Sequence, residues 1–107
     1  ANKLLILDKG RVIAYGKKEE LFRRYCGRAV IILKHSQEKE ALFRPYDRLA
    51  SPAHLIALPC ETEEKERELT DLLLAHNMDY TRSTTDIEMI YTNAKKCAEN
   101  RLDGGER

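Results

Sequence analysis

Apolar positions come along this chain in short blocks, each the length of one strand or one helix face. Leu4-Leu5-Ile6-Leu7 and Val12-Ile13-Ala14-Tyr15 flank Asp8-Lys9-Gly10-Arg11. Two apolar runs around a Lys-Gly turn predict a β-hairpin. From Lys18 to Tyr25, Leu21, Phe22 and Tyr25 share one helical face, and Cys26-Gly27 ends the helix, Gly being common just past a helix C-terminus. Arg28 to Lys34 carries Ala29-Val30-Ile31-Ile32-Leu33 without alternation, as a fully buried strand does.

Ser36 can cap a short helix through Leu42 and Phe43, which Pro45 should stop. The stretch from Pro45 to Pro52 has no clean period and is expected to be a loop with a turn or two of helix. Ala53 to Pro59 reads as a second strand. Thr62 then caps a helix with Glu63 and Glu64 in its first turn, where negative charge favours the helix dipole. Its buried stripe is Leu69, Leu72 and Leu73, and Asn77 is its stop. Met78 to Arg82 reads as a short strand. Thr85 and Glu88 have capping-box spacing, and Ile87, Ile90, Tyr91, Ala94 and Ala98 recur behind them at helical period. The order predicts an α+β fold: an N-terminal hairpin and helix, then a small ferredoxin-like sheet with helices on one face.

The chain has 107 residues, enough for one small core, and its longest apolar run has five. A bilayer needs roughly 20, so direct membrane insertion is not expected. The net charge of +1 argues against a dedicated nucleic-acid binder. Its distribution is uneven: residues 1–55 hold 12 Lys/Arg against 6 Asp/Glu, and residues 56–107 hold 7 against 12. Such polarity can steer an acidic partner, although a solvated surface accounts for it as well.

Cys26, Cys60 and Cys97 stand far apart and are odd in number, which suits a reducing compartment better than a disulfide framework. With His35, His54 and His76 they show no metal-ligand spacing, so no metal site is expected. Nothing around the cysteines has the form of a nucleophile turn, and a buried apolar role is expected of them. Arg23, Arg24 and Arg28 could meet phosphate or an acidic partner, and Glu61 to Glu68, with five glutamates, could form an acidic docking face. Both also fit ordinary solvated helix surface. No catalytic, cofactor-binding or metal residue is assigned.

The run Leu4 to Gly16, continued by Glu19-Glu20-Leu21, resembles the closing segment of ABC-transporter ATP-binding subunits. There a strand, a D/N-x-G turn, a second strand, a Gly and an E-E-L helix follow one another. Ala1-Asn2-Lys3 is similar to the A-D-R that often precedes this strand. Lys17 stands where the family often has Ser or Thr, and Lys cannot cap the following helix. Near the other end, Ile87-Glu88-Met89-Ile90-Tyr91 resembles the L-E-D-V-F motif of subunits of the drug-export, sodium-export and gliding-motility type. Met89 there replaces the usual acidic residue.

The resemblance implies residues 1–27 as the end of an ATP-binding domain, 28–102 as an appended accessory domain and 103–107 as a disordered tail. It also implies ATP and Mg2+ as cofactors of the whole subunit. The implied partners are the remainder of that subunit, transmembrane transporter subunits and a homodimer, at the cytoplasmic face of a membrane. The chemistry itself lies elsewhere. The five glycines never form G-x-x-x-x-G-K-[ST], and L-S-G-G-Q and an apolar run ending in Asp-Glu are missing. This chain alone is therefore expected not to hydrolyse ATP. A stand-alone α+β ligand-binding or dimerisation module is the other expectation. The hairpin separates the two: in a transporter piece Leu4–Leu7 lacks its neighbours, and in a module it belongs to the sheet core.

Overall fold

The computed structural model describes residues 3–105, with side-chain surroundings described through residue 100. Ala1-Asn2 and the last two tail residues lie outside the described residues. Strands β1 (Lys3–Asp8) and β2 (Arg11–Lys17) form the expected hairpin. Lys9 and Gly10 at its tip both have positive φ, 54° and 78°, as a tight two-residue hairpin turn requires. The register slips between Ile6 and Leu7, which leaves Ile13 as the extra residue of a bulge.

Helix α1 (Lys18–Tyr25) follows directly, and Lys17 makes no side-chain cap, as its chemistry dictates. Gly27, at φ 95°, ends it, its N–H donating to the Phe22 and Arg23 carbonyls. Strand β3 (Ala29–Lys34) is next, then α2 (Gln37–Leu42), capped by the Ser36 hydroxyl on the Lys39 N–H. Strand β4 (Leu55–Cys60) begins two residues later than expected, because Pro52 to His54 are used in turning the chain. Thr62 caps α3 (Glu63–Ala75), and Asn77, at φ 57°, stops it.

Strand β5 (Thr81–Ser83) is shorter than the expected strand and shifted toward its end. Helix α4 (Ile87–Gly105) is capped by Asp86, whose carboxylate accepts from the Met89 N–H at 2.9 Å. The Thr85 capping box does not form; the Thr85 N–H instead turns back onto the Ser83 hydroxyl. The helix is described through Gly105.

The architecture is α+β, with the hairpin as one sheet and an antiparallel sheet in the order β4-β3-β5 as the other. Helices cover both faces of the larger sheet, which corrects the expectation of one covered face. The pleat explains the arrangement. Residues opposite each other share a face, so Ala29, Ile31 and Leu33 line up with Cys60, Leu58 and Ile56. That side packs on Phe43 and on Leu69 and Leu73 of α3. Val30 and Ala57 face the other way, onto Leu21 and Phe22 of α1 and Met89, Ile90 and Ala94 of α4. A strand apolar at every position needs cover on both sides. Fully burying a side chain such as Phe22 or Phe43 contributes about 1.5–3 kcal/mol.

Candidate functional site

The hairpin has two unlike faces. Its inner face presents Ile6 and Ala14, both buried in the same apolar cluster as Leu21, Phe22, Cys26, Val30, Met89 and Ile90. This cluster crosses the expected boundary between residues 27 and 28, so hairpin, α1, sheet and α4 share a core. The outer face presents Leu5, Leu7, Val12 and Tyr15, which are 57, 51, 59 and 59% exposed.

The pairing makes these four one patch. Leu5 lies opposite Tyr15, and Leu7 opposite Val12. Lys3 and Lys17 oppose each other at one end, and the Lys3 ammonium lies 5.7 Å from the centre of the Tyr15 ring. Like charges directly opposite across a strand pair are unfavourable. Among the described residues β1 and β2 pair only with each other, leaving both outer edges of the hairpin open. The hairpin is thus an open-edged ribbon with four large apolar side chains on its outer face.

The second motif splits between inside and outside. Ile87 and Tyr91, expected in the buried stripe of α4, are exposed, and the stripe consists of Met89, Ile90, Asn93 and Ala94. Met89 is fully buried in the apolar cluster beneath the hairpin.

The cysteines and histidines lie in separate parts of the fold. Cys26 and Cys60 are buried, and Cys97 is exposed on α4. Burial, with Asp86 adding repulsion, pushes the Cys26 thiol up to about 12. Burial, with Glu66 adding to it, pushes Cys60 up to about 11. Neither is a thiolate near neutral pH. His35 and His54 meet through the backbone, His35 N–H donating to the His54 carbonyl at 2.9 Å. The His35 ring lies 3.7 Å from Glu40, and His76 caps the far end of α3. Among the described residues no group of three metal-ligating side chains comes together.

The charged runs have specific partners. Arg23 and Arg24 are exposed in the last turn of α1, where cations favour the helix dipole. Arg28 donates to Glu66 at 2.7 Å, and Arg82 of β5 donates through Nε to the other oxygen of the same carboxylate at 2.5 Å. Arg28 precedes β3, Glu66 lies on α3 and Arg82 on β5, so this three-residue cluster forms only in the tertiary structure and has no signal in adjacent residues. No protein-family model, curated protein or solved structure gives a significant match to the chain.

Proposed function

We propose that this chain is the C-terminal part of an ABC-transporter ATP-binding subunit. Residues 1–27 close the nucleotide-binding domain, and residues 28–102 form an accessory domain that serves subunit contact or regulation. The observation that carries the proposal is the outer face of the hairpin. Leu5, Leu7, Val12 and Tyr15 lie uncovered on a ribbon with open edges, although its inner face is packed. A segment taken from a larger domain leaves such a surface, because the residues that would cover it belong to the rest of that domain. The residues Asp8-Lys9-Gly10-Arg11-Val12, Gly16 and Glu19-Glu20-Leu21 supply the family likeness at that same place.

In this reading the whole subunit binds ATP with Mg2+ and couples hydrolysis to transport through membrane-spanning partner subunits. The phosphate- and metal-holding groups lie upstream of Ala1, and this chain on its own turns over no ATP. Attachment to the membrane is peripheral, on the cytoplasmic side, through those partners. Among the described residues no helix is long and apolar enough to cross a bilayer.

A stand-alone module is the second reading, favoured by the core that the hairpin and α1 share with α4 and the larger sheet. Sequencing the gene upstream of Ala1 separates the two. An in-frame P-loop, L-S-G-G-Q and Asp-Glu support the transporter reading. A start codon directly before Ala1 overturns it.

A further inference from the structure

We propose that Arg28 and Arg82, which share Glu66, together with Arg67 on the same depression, bind a phosphate group, either free or as a small monoester. Glu66 on α3 is the hub of the arrangement. Arg28, just before β3, and Arg82 on β5 each donate to its carboxylate, at 2.7 and 2.5 Å. One carboxylate neutralises one guanidinium, and here it is shared by two. Glu63 comes no nearer than 3.8 Å to Arg28, and its side chain is 81% exposed, so it offsets little of the remaining charge. Arg67 lies on the same open depression of about 310 Å3, which is lined by these five side chains and Thr70.

The lining decides the class of ligand. Three guanidiniums face two carboxylates, which leaves an excess of positive charge. Each guanidinium has five N–H donors in a rigid fork, and Glu66 takes one from Arg28 and two from Arg82. The others suit the tetrahedral oxygens of phosphate. Thr70 already donates its hydroxyl to the Arg67 carbonyl at 3.1 Å, so the arginines are the donors. The depression has no aromatic or aliphatic side chain in its lining on which a base or an apolar peptide side chain could stack. A small hydrophilic anion is therefore the fitting occupant. Glu66 acts as both organiser and competitor: it orients two of the arginines while taking part of their charge.

That dual role yields a test that a purely structural ion cluster fails. The 107-residue chain is titrated with inorganic phosphate and with methyl phosphate, followed by amide and arginine Nε resonances, with sodium chloride of equal ionic strength as control. The expected result is saturable shifts confined to residues around 28, 66–70 and 82. Tighter binding of methyl phosphate assigns the site to esters, and equal or tighter inorganic phosphate assigns it to the free ion. Arg67→Gln, which leaves the Glu66 bonds in place, weakens binding about fivefold. Glu66→Gln removes the competing charge and tightens it by a similar factor. Shifts reproduced by sodium chloride, or Arg67→Gln binding like the unaltered chain, overturn the proposal. Neither outcome bears on the outer face of the hairpin, so the transporter reading stands or falls separately.

Discussion

Asn93 holds Ala50 by both of its backbone groups. The Asn93 carbonyl oxygen accepts from the Ala50 N–H at 3.1 Å, and its amide donates to the Ala50 carbonyl at 2.9 Å. The same amide donates to the Met89 carbonyl one turn back in α4. One side chain thus pairs with a loop as a neighbouring strand would, and fastens the irregular segment before β4 to the last helix. Asn93→Ala leaves the Ala50 N–H and carbonyl without these partners, and should cost about 1–3 kcal/mol. Asn93→Asp should cost at least as much, because a carboxylate cannot donate to the two carbonyls that the amide serves. Urea unfolding midpoints at an unchanged m-value check both.

The two faces of the hairpin should respond oppositely to substitution. Ile6→Ala removes a side chain from the shared core and should cost about 2–4 kcal/mol. Leu5→Thr or Leu7→Thr alters a surface already half in water and should stay within about 0.5 kcal/mol. In the longer subunit of the proposed reading, those same outer changes should destabilise strongly, because the face is covered there. Equal effects in the short and the long chain would count against that cover.

Glu66 predicts a defined acid limb in stability. Hydrogen bonds from Arg82, and next from Arg28, hold its carboxyl below the ordinary value of 4.5 in the folded chain. As pH falls the unfolded chain therefore takes up this proton first. The stabilisation is complete above about pH 4.5 and is lost as pH drops through the lowered folded value. Glu66→Gln should reduce stability at neutral pH, and its difference from the unaltered chain should close in acid. Unfolding curves for both proteins across that range give the answer; a difference independent of pH would remove the ion pairs as its cause.

Thiol accessibility should divide one against two. Cys97 is exposed, whereas Cys26 and Cys60 are buried with thiols pushed up to about 12 and about 11. An aromatic disulfide reagent should label the native chain once quickly, and the other two sites only at the rate of opening. In denaturant all three should react together. Fast labelling of Cys26 in the native chain would mean that α1 and α4 separate readily, since the thiol lies in the cluster they share.

Much of the fold was legible because its signals are local. The Lys9-Gly10 turn, the hydroxyl caps at Ser36 and Thr62, and the stops at Gly27 and Asn77 depend on residues within one turn of each other. The stripe of α4 was not legible in this way. Positions 87, 90, 91, 94 and 98 and positions 89, 90, 93 and 94 are both helical stripes, displaced around the same cylinder. Only the presence of α1 and the hairpin decides which one turns inward, and the cap moved to Asp86 accordingly.

The sequence by itself determined the elements, their order and the burial of β3 as an apolar strand, through propensity, capping and an apolar run without alternation. Helix cover on both faces of its sheet came only with the tertiary structure. The proposed relation to ABC-transporter ATP-binding subunits likewise rests on strings of adjacent residues at the two ends. The tertiary structure alone decided what those elements bring together: the exposed Leu5–Tyr15 face, the grip of Asn93 on Ala50, and Arg28 and Arg82 on Glu66 with Arg67 on the same depression. The physical reason is range. Backbone preferences act over a few residues, whereas Arg28, Glu66 and Arg82 become neighbours only once strand register and helix docking have been paid for by burial of the core.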